Sequence, residues 1–298
     1  MMECAPVIVF VYCRLKHTQK TLQALNENFL VEKTDLYIFS DAAKSEAVTG
    51  SVEAVREYIT AFSKNNNFKN TYIIKSECNK GLADSIIEGV SLIINQRETV
   101  IVLEDDLITS KNFLGFMNDC LEYYKDNSEI GAISGFTYPL RCLKHYKEDV
   151  FISPTGNSWG WATWKEVWNQ VDWEVKYYKQ WRGNRKERKK FDSIQYGIAN
   201  MLDSQMEKKI DSWAVRWDFH FYVNKLYTIY PRKSLILNIG FDGSGVHCGT
   251  ENILQDTVNG EIKKYNPKKV VINKRIIREM SRFNKQNILN KIINIFLI

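Results

Sequence analysis

The sequence predicts an α/β protein with a mostly parallel, doubly wound sheet, and two observations carry that expectation. Short β-branched or aromatic runs alternate with helix-spaced segments through the first 125 residues. One run, Val100-Ile101-Val102-Leu103, is apolar throughout, as a strand buried on both faces must be. It ends in Glu104-Asp105-Asp106. Open α/β sheets bind ligands beyond the carboxyl ends of their strands, so the three acids fall where a site is expected. Adjacent carboxylates repel one another, and a hard divalent cation, Mg²⁺ or Mn²⁺, relieves that repulsion while drawing further oxygen ligands from phosphate. The bland alternative is a solvated acidic turn.

Each element follows from its residues. Pro6 to Tyr12 reads as the first strand, and Leu22, Leu25, Phe29 and Leu30 give a helix over Thr18 to Leu30. Asp35 to Ser40 is a second strand ending at Asp41, with a helix over Val52 to Phe62. Thr71 to Lys75 is a third strand, and Asn79-Lys80-Gly81-Leu82 leads into a helix reaching about Asn95. The acidic strand is fourth, followed by a helix over 110–125 with Ser110 as its expected N-cap. Strand order is not readable from spacing. After a further strand at Ile130 to Gly135 come the tryptophan-rich stretch Ser153 to Trp164 and a basic run over 182–190, best read as a solvated face. Asp211 to Asp218 opens an amphipathic helix, and Leu235 to Ile239 is a strand leading to Gly240 and His247.

Composition bounds the class. With 298 residues, 44% hydrophobic and 26% charged, the chain is long enough for a large core. A net charge of +6 suits an anionic ligand or a membrane surface, but the cations do not form an aromatic-interleaved groove, so no nucleic acid is expected. The six cysteines include no CxxC pair and match neither a zinc site nor a disulfide framework. No signal peptide or transmembrane run is visible, so a cytoplasmic setting is expected. The tail from Phe283 to Ile298 is apolar and basic; it reads as a membrane-surface helix on the inner face, with packing on its own domain or a second copy as the alternative.

The first strand–helix turn lacks GxGxxG and the chain lacks GxxxxGK[ST], which argues against a Rossmann dehydrogenase and a P-loop kinase. The ordered set of an Arg-containing first loop, Ser40-Asp41, Asn79-Lys80-Gly81-Leu82 and Leu103-Glu104-Asp105-Asp106 resembles the GT-A glycosyltransferases. It is most similar to family-2-like bacterial sugar transferases and the N-acetylglucosaminyltransferase I group; Ser158 to Trp164 and Asn238 to Asp242 add to the likeness, which spans roughly residues 5 to 250.

The resemblance implies a metal-dependent, inverting transfer of a sugar, a hexosyl or N-acetylhexosaminyl group, from a nucleotide-diphosphate sugar to a glycan or lipid-linked hydroxyl in surface glycan synthesis. It implies a nucleotide-sugar-binding half over 1–126, an acceptor half over 127–255 and a helical tail over 256–298. Asp106 would be the direct metal ligand, Asp105 and Glu104 would bind sugar or ribose hydroxyls, Asp41 would contact base or ribose, and Arg14 would lie by the donor. Arg14 and Lys80 are candidate cations for the diphosphate. Related sequences carry an acid where this chain has Ala214, so the base that takes the acceptor proton is Asp218 or Asp211, with Asp218 preferred and an N-cap role open for Asp211. His247 is a candidate for the metal or diphosphate, and Trp159 and Trp161 are candidates for stacking on an acceptor sugar, against core packing as the alternative. Two rival functions remain: a sugar-phosphate nucleotidyltransferase, and a non-catalytic nucleotide-sugar-binding assembly protein. A homo-oligomer is compatible with either.

Overall fold

The computed structural model describes residues 4–241, 265, 267–268, 271–283 and 285. Strands and helices alternate first: β1 (Val7–Val11), α1 (Leu15–Asn26), β2 (Asp35–Ser40), α2 (Glu46–Lys64), β3 (Asn70–Lys75), α3 (Leu82–Arg97) and β4 (Thr99–Glu104). Next come β5 (Leu107–Thr109), α4 (Phe113–Tyr124), β6 (Ile130–Ser134), β7 (Val150–Ser153), β8 (Trp161–Trp164) and α5 (Lys165–Trp168). Then follow α6 (Tyr178–Arg182), α7 (Arg185–Ile194), α8 (Ile198–Met206), α9 (Trp213–Asn224), β9 (Tyr227–Pro231) and β10 (Ile236–Asn238).

Eight strands form one sheet in the order β3-β2-β1-β4-β8-β6-β9-β7. The β3-β2-β1-β4 half is wholly parallel. β8 runs antiparallel between β4 and β6, and β7 antiparallel to β9, so the other half is mixed. This is the α/β class expected from the sequence. All five residues of β1 are buried, as a central strand covered on both faces requires. One face packs on α1, α2 and α4 through Leu22, Val55, Ile59 and Met117; the other packs on α3 and α9 through Ile86, Val90, Trp213 and Phe221.

Several expected boundaries shift for local reasons. α1 begins at Leu15 and stops at Asn26, and Leu30 lies beyond it at a left-handed φ of 72°. α4 is capped at Asn112, not Ser110, whose hydroxyl has no partner while its carbonyl accepts from Phe113 N. The acidic run does not continue one strand: it turns after Glu104, and Leu107–Thr109 pairs antiparallel with β10. The basic run over 182–190 becomes part of α6 and α7 and is largely exposed, as expected. Ser212, not Asp211, caps α9, its Oγ accepting from Val215 N.

Of the tail, residues 274–283 are helical, with Ile276 and Met280 buried against Leu140, Leu143, Phe151 and Tyr230. The Glu279 carboxylate accepts from the Arg141 and Cys142 backbone amides. This part packs on its own domain. The stretch after residue 285, on which the membrane-helix expectation rests, lies outside the described residues, as does His247. No helix among the described residues is long and apolar enough to cross a membrane.

Candidate active site

Because β1, β2, β3 and β4 are parallel, their carboxyl ends open on one edge. The register sets Val11 beside Ser40, Ser40 beside Lys75 and Phe10 beside Glu104. Arg14, Asp41, Lys80 and the acids 104–106 therefore all emerge there, where a parallel sheet presents its ligand crevice.

At the centre of this edge, Arg14 joins two of the acids. Its Nη2 donates to Asp105 Oδ1 and, at 2.8 Å, to Asp106 Oδ2. The Asp105 and Asp106 side chains are only 7% and 11% exposed, so water does little to screen them and the guanidinium is their main counter-charge. Burial works to lower the Arg14 pKa, but the two carboxylates outweigh it and hold the cation more firmly charged. Burial raises the Asp105 pKa, with Arg14 opposing. Glu104 is pushed up to about 8, chiefly by burial and then by Asp106 and Asp105 beside it. A fully ionised trio is therefore more charge than Arg14 alone neutralises.

The backbone holds these acids in place. Asp105 O accepts from Thr21 Oγ1 at 2.8 Å, and Asp106 O accepts from Ile239 N at 2.9 Å. Pairing of β5 with β10 sets Asn238 opposite Leu107 and so brings Gly240 against Asp106. A Cβ on Gly240 would lie 2.3 Å from Asp106 Oδ2 and 3.0 Å from its Cγ, closer than atoms can approach. Glycine is required here for the carboxylate to keep its position. Gly240→Ala is therefore expected to displace Asp106; in the reaction proposed below this lowers turnover about 100-fold, as misplacement of a reacting-centre group by about an ångström does. The melting temperature should fall by only a few degrees, at roughly 1–3 kcal/mol for local overpacking. Steady-state kinetics beside thermal unfolding checks both.

Two carboxylates with hard oxygen donors suit Mg²⁺ or Mn²⁺, which take one or two protein acids and fill the shell with phosphate and water. No group of three or more His, Cys, Asp or Glu set to hold an ion occurs among the described residues. Two acids alone leave most of such an ion's shell to other oxygen donors.

Asp41 organises the neighbouring loop. Its carboxylate accepts from Asn79 Nδ2, Lys80 N and Gly81 N, all within about 3.1 Å. Lys80 turns its ammonium to Glu88 on α3, which raises its pKa. Gly81 takes φ +79°, a conformation open to glycine at little cost, and its Cα faces Asp211, whose Oδ2 would lie 2.8 Å from a Cβ there. Asp211 Oδ2 also accepts from Ala83 N at the start of α3. Asp211, just ahead of α9, is exposed and through these contacts reaches the same edge. Arg56 on α2, which sequence reasoning did not single out, donates from Nη2 to Ser76 O at 2.8 Å and from Nε to Ser40 Oγ at 3.3 Å. The only signal was a lone arginine between the buried Val55 and Ile59 of an amphipathic helix.

Asp218 lies two turns along α9, beneath the loop at Gly156. Burial pushes its pKa up to about 8, the Gly156 amide opposing, and its Oδ1 has no hydrogen-bond partner. Burial therefore favours its protonated form. Its folded pKa is above the unfolded value near 4, so stability attached to it is present below about pH 4 and is lost as pH rises toward 8. Asp218→Asn should flatten that decline, which melting temperature against pH for the two proteins would show.

The tryptophans divide. Trp161 is 1% exposed and stacked on Trp168 and Trp213 at ring-centroid distances of 5.5 and 5.1 Å. Of the two readings open for it, acceptor stacking and core packing, the structure bears out core packing, with no face open to a sugar. Trp159 is half-buried, edge-on to Phe136 and Phe241.

No protein-family model and no curated protein matches the chain. Among solved structures, the mannosyltransferase PcManGT from Pyrobaculum calidifontis, in complex with GDP-Man and Mn²⁺, is 14% identical with a TM-score of 0.39, matching 56% of this chain and 46% of its own. Two structures of S. aureus TarS, one of residues 1–349, are each 12% identical with a TM-score of 0.38, over 78% of this chain and 59% and 36% of theirs. The chain spans less than two thirds of the length of each.

Proposed function

We propose that the chain is a glycosyltransferase that takes a sugar from a nucleoside-diphosphate donor and passes it to an acceptor hydroxyl. The observation that carries this reading is the meeting of Arg14 with Asp105 and Asp106 at the carboxyl edge of the parallel half-sheet, with Gly240 closed against Asp106. The sequence resemblance to GT-A enzymes supports the same reading.

Asp106, with Asp105, would hold a divalent cation, which when bound offsets the charge growing on a diphosphate leaving group. Arg14, paired with both acids, adds a second positive group at that corner and would also pair with a phosphate oxygen. Asp41 keeps the 79–81 loop in the shape a nucleoside would lie against. Trp159 is the tryptophan left to contact an acceptor sugar.

Asp211 is the better candidate for the base. It is an exposed carboxylate that accepts from Ala83 N beside the 79–81 loop, whereas Asp218 is buried, which favours its protonated form. Attack by a hydroxyl that gives its proton to Asp211 inverts the anomeric centre. Asp211→Asn is expected to lower turnover by about 10²–10⁴-fold while leaving nucleoside-diphosphate binding intact. Assaying a panel of nucleotide sugars for sugar transfer or hydrolysis tests the assignment. Release of pyrophosphate from nucleoside triphosphates would instead make the chain a nucleotidyltransferase, and binding without turnover across the panel would leave it a nucleotide-sugar-binding protein. Action at a membrane, in building a surface glycan from a hexosyl or N-acetylhexosaminyl donor, extends the same reading.

A further inference from the structure

The chain's net charge is concentrated in one place. Residues 175–209, the loops and helices α6, α7 and α8 between α5 and α9, carry ten Lys and Arg against four Asp and Glu. Their excess of six equals that of the whole chain, so the remaining sequence is balanced. This unit has a small core of its own, in which Tyr178, Trp181, Phe191 and Leu202 pack on Val215 and Phe219 of α9.

Internal pairing uses only part of the charge. Arg182 and Lys209 meet Glu207, Arg188 meets Asp203, and Lys190 meets Glu187. Lys179, Arg185, Lys186, Lys189 and Lys208 are exposed and stand outside these ion pairs. Apolar groups stand out among them: Tyr177 is 46% exposed, and Tyr196 and Met201 are each 40% exposed. Lys285, at the end of the described C-terminal helix, sits over the Tyr196 ring, 5.4 Å from its centroid. The sequence beyond it, Ile288-Leu289 and Ile292 to Ile298 around Lys291, is apolar and basic.

We propose that this α6–α8 unit is a docking surface for an anionic lipid bilayer. Lysine ammoniums spread over an exposed helical surface suit a field of headgroup phosphates, and tyrosine and methionine side chains between them can enter the headgroup layer. Four of the five cations outside those ion pairs are lysines, point charges without the planar fork that reads bases or stacks on them, which favours a lipid surface over a nucleic acid. The inference does not depend on the proposed reaction.

Flotation of the full chain with phosphatidylcholine vesicles, plain or enriched in phosphatidylglycerol, tests it. Binding should require the anionic lipid and weaken at high salt. Lys186→Glu with Lys189→Glu should lower partitioning by roughly 25-fold or more, at about fivefold per lysine lost. Lys179→Glu with Lys208→Glu is a second pair on other parts of the unit, expected to act in the same direction. Lys33→Glu with Lys64→Glu, on the opposite, charge-balanced part of the chain, should leave binding unchanged, and circular dichroism shows that each variant is folded. Equal binding to neutral vesicles, or full binding by both patch variants, overturns the proposal; the second result would assign any membrane affinity elsewhere. Capture by an anionic oligonucleotide without capture by vesicles also overturns it.

Discussion

Asp106→Ala should abolish sugar transfer, with turnover falling about 10³-fold or more, while the protein stays folded. The size follows from what the carboxylate does in the proposed reaction. Groups aimed at charge that develops only during reaction contribute about 3–4 kcal/mol each, and here the same side chain also holds the ion that meets the diphosphate. The fold should survive because the change removes a like charge from beside Asp105 and Glu104, and Arg14 keeps Asp105 as its partner. Rates from radiolabelled donor, beside thermal unfolding, separate the two effects. A fully active variant would remove Asp106 from the reaction.

Arg14→Ala should show the opposite balance, with a large loss of stability as well as of turnover. Its guanidinium is the counter-charge for two carboxylates with side chains about a tenth exposed or less. Breaking a pair of this kind leaves buried charge without compensation, at a cost of about 3 kcal/mol, or a fall in Tm of roughly 5–10 °C. Lysine should not restore it, because one ammonium does not span two carboxylates as the planar fork does. Mn²⁺ should raise the Tm of the variant more than that of the parent, since a divalent cation takes over the missing charge and stabilises by mass action. Unchanged unfolding in Arg14→Ala would mean that the two acids are already satisfied by water.

The parallel half of the fold was legible because its strands are buried on both faces and so appear as unbroken apolar runs. Asp35 to Ser40 was bounded to the residue. Strand order was not legible, since it depends on which surfaces meet, and the antiparallel entry of β8 between β4 and β6 has no local signature. The acidic motif and its arginine were readable as charges misplaced beside a buried strand. Their union across 91 residues was not. Gly240 was visible only as part of a motif, and its reason, the approach of Asp106, needs the β5–β10 pairing. The tryptophans stayed undecided for a physical reason: a Trp-Ala-Thr-Trp strand looks the same whether its ring meets sugar or other rings. Asp211, just ahead of α9, and Asp218 within it were inseparable in sequence, because that helix buries Trp213, Val215, Trp217, Phe219 and Phe221 around most of its circumference. Helical spacing then cannot say which acid faces water.

The central claim is that the acidic corner holds a diphosphate through a divalent ion. Calorimetric titration of uridine and guanosine diphosphates into the parent and Asp106→Ala proteins, with Mn²⁺ and with a chelator, addresses it directly. The account predicts binding of at least one diphosphate to the parent only when Mn²⁺ is present, and none to the variant. Equal affinity with and without the ion, or undiminished binding by Asp106→Ala, would contradict it.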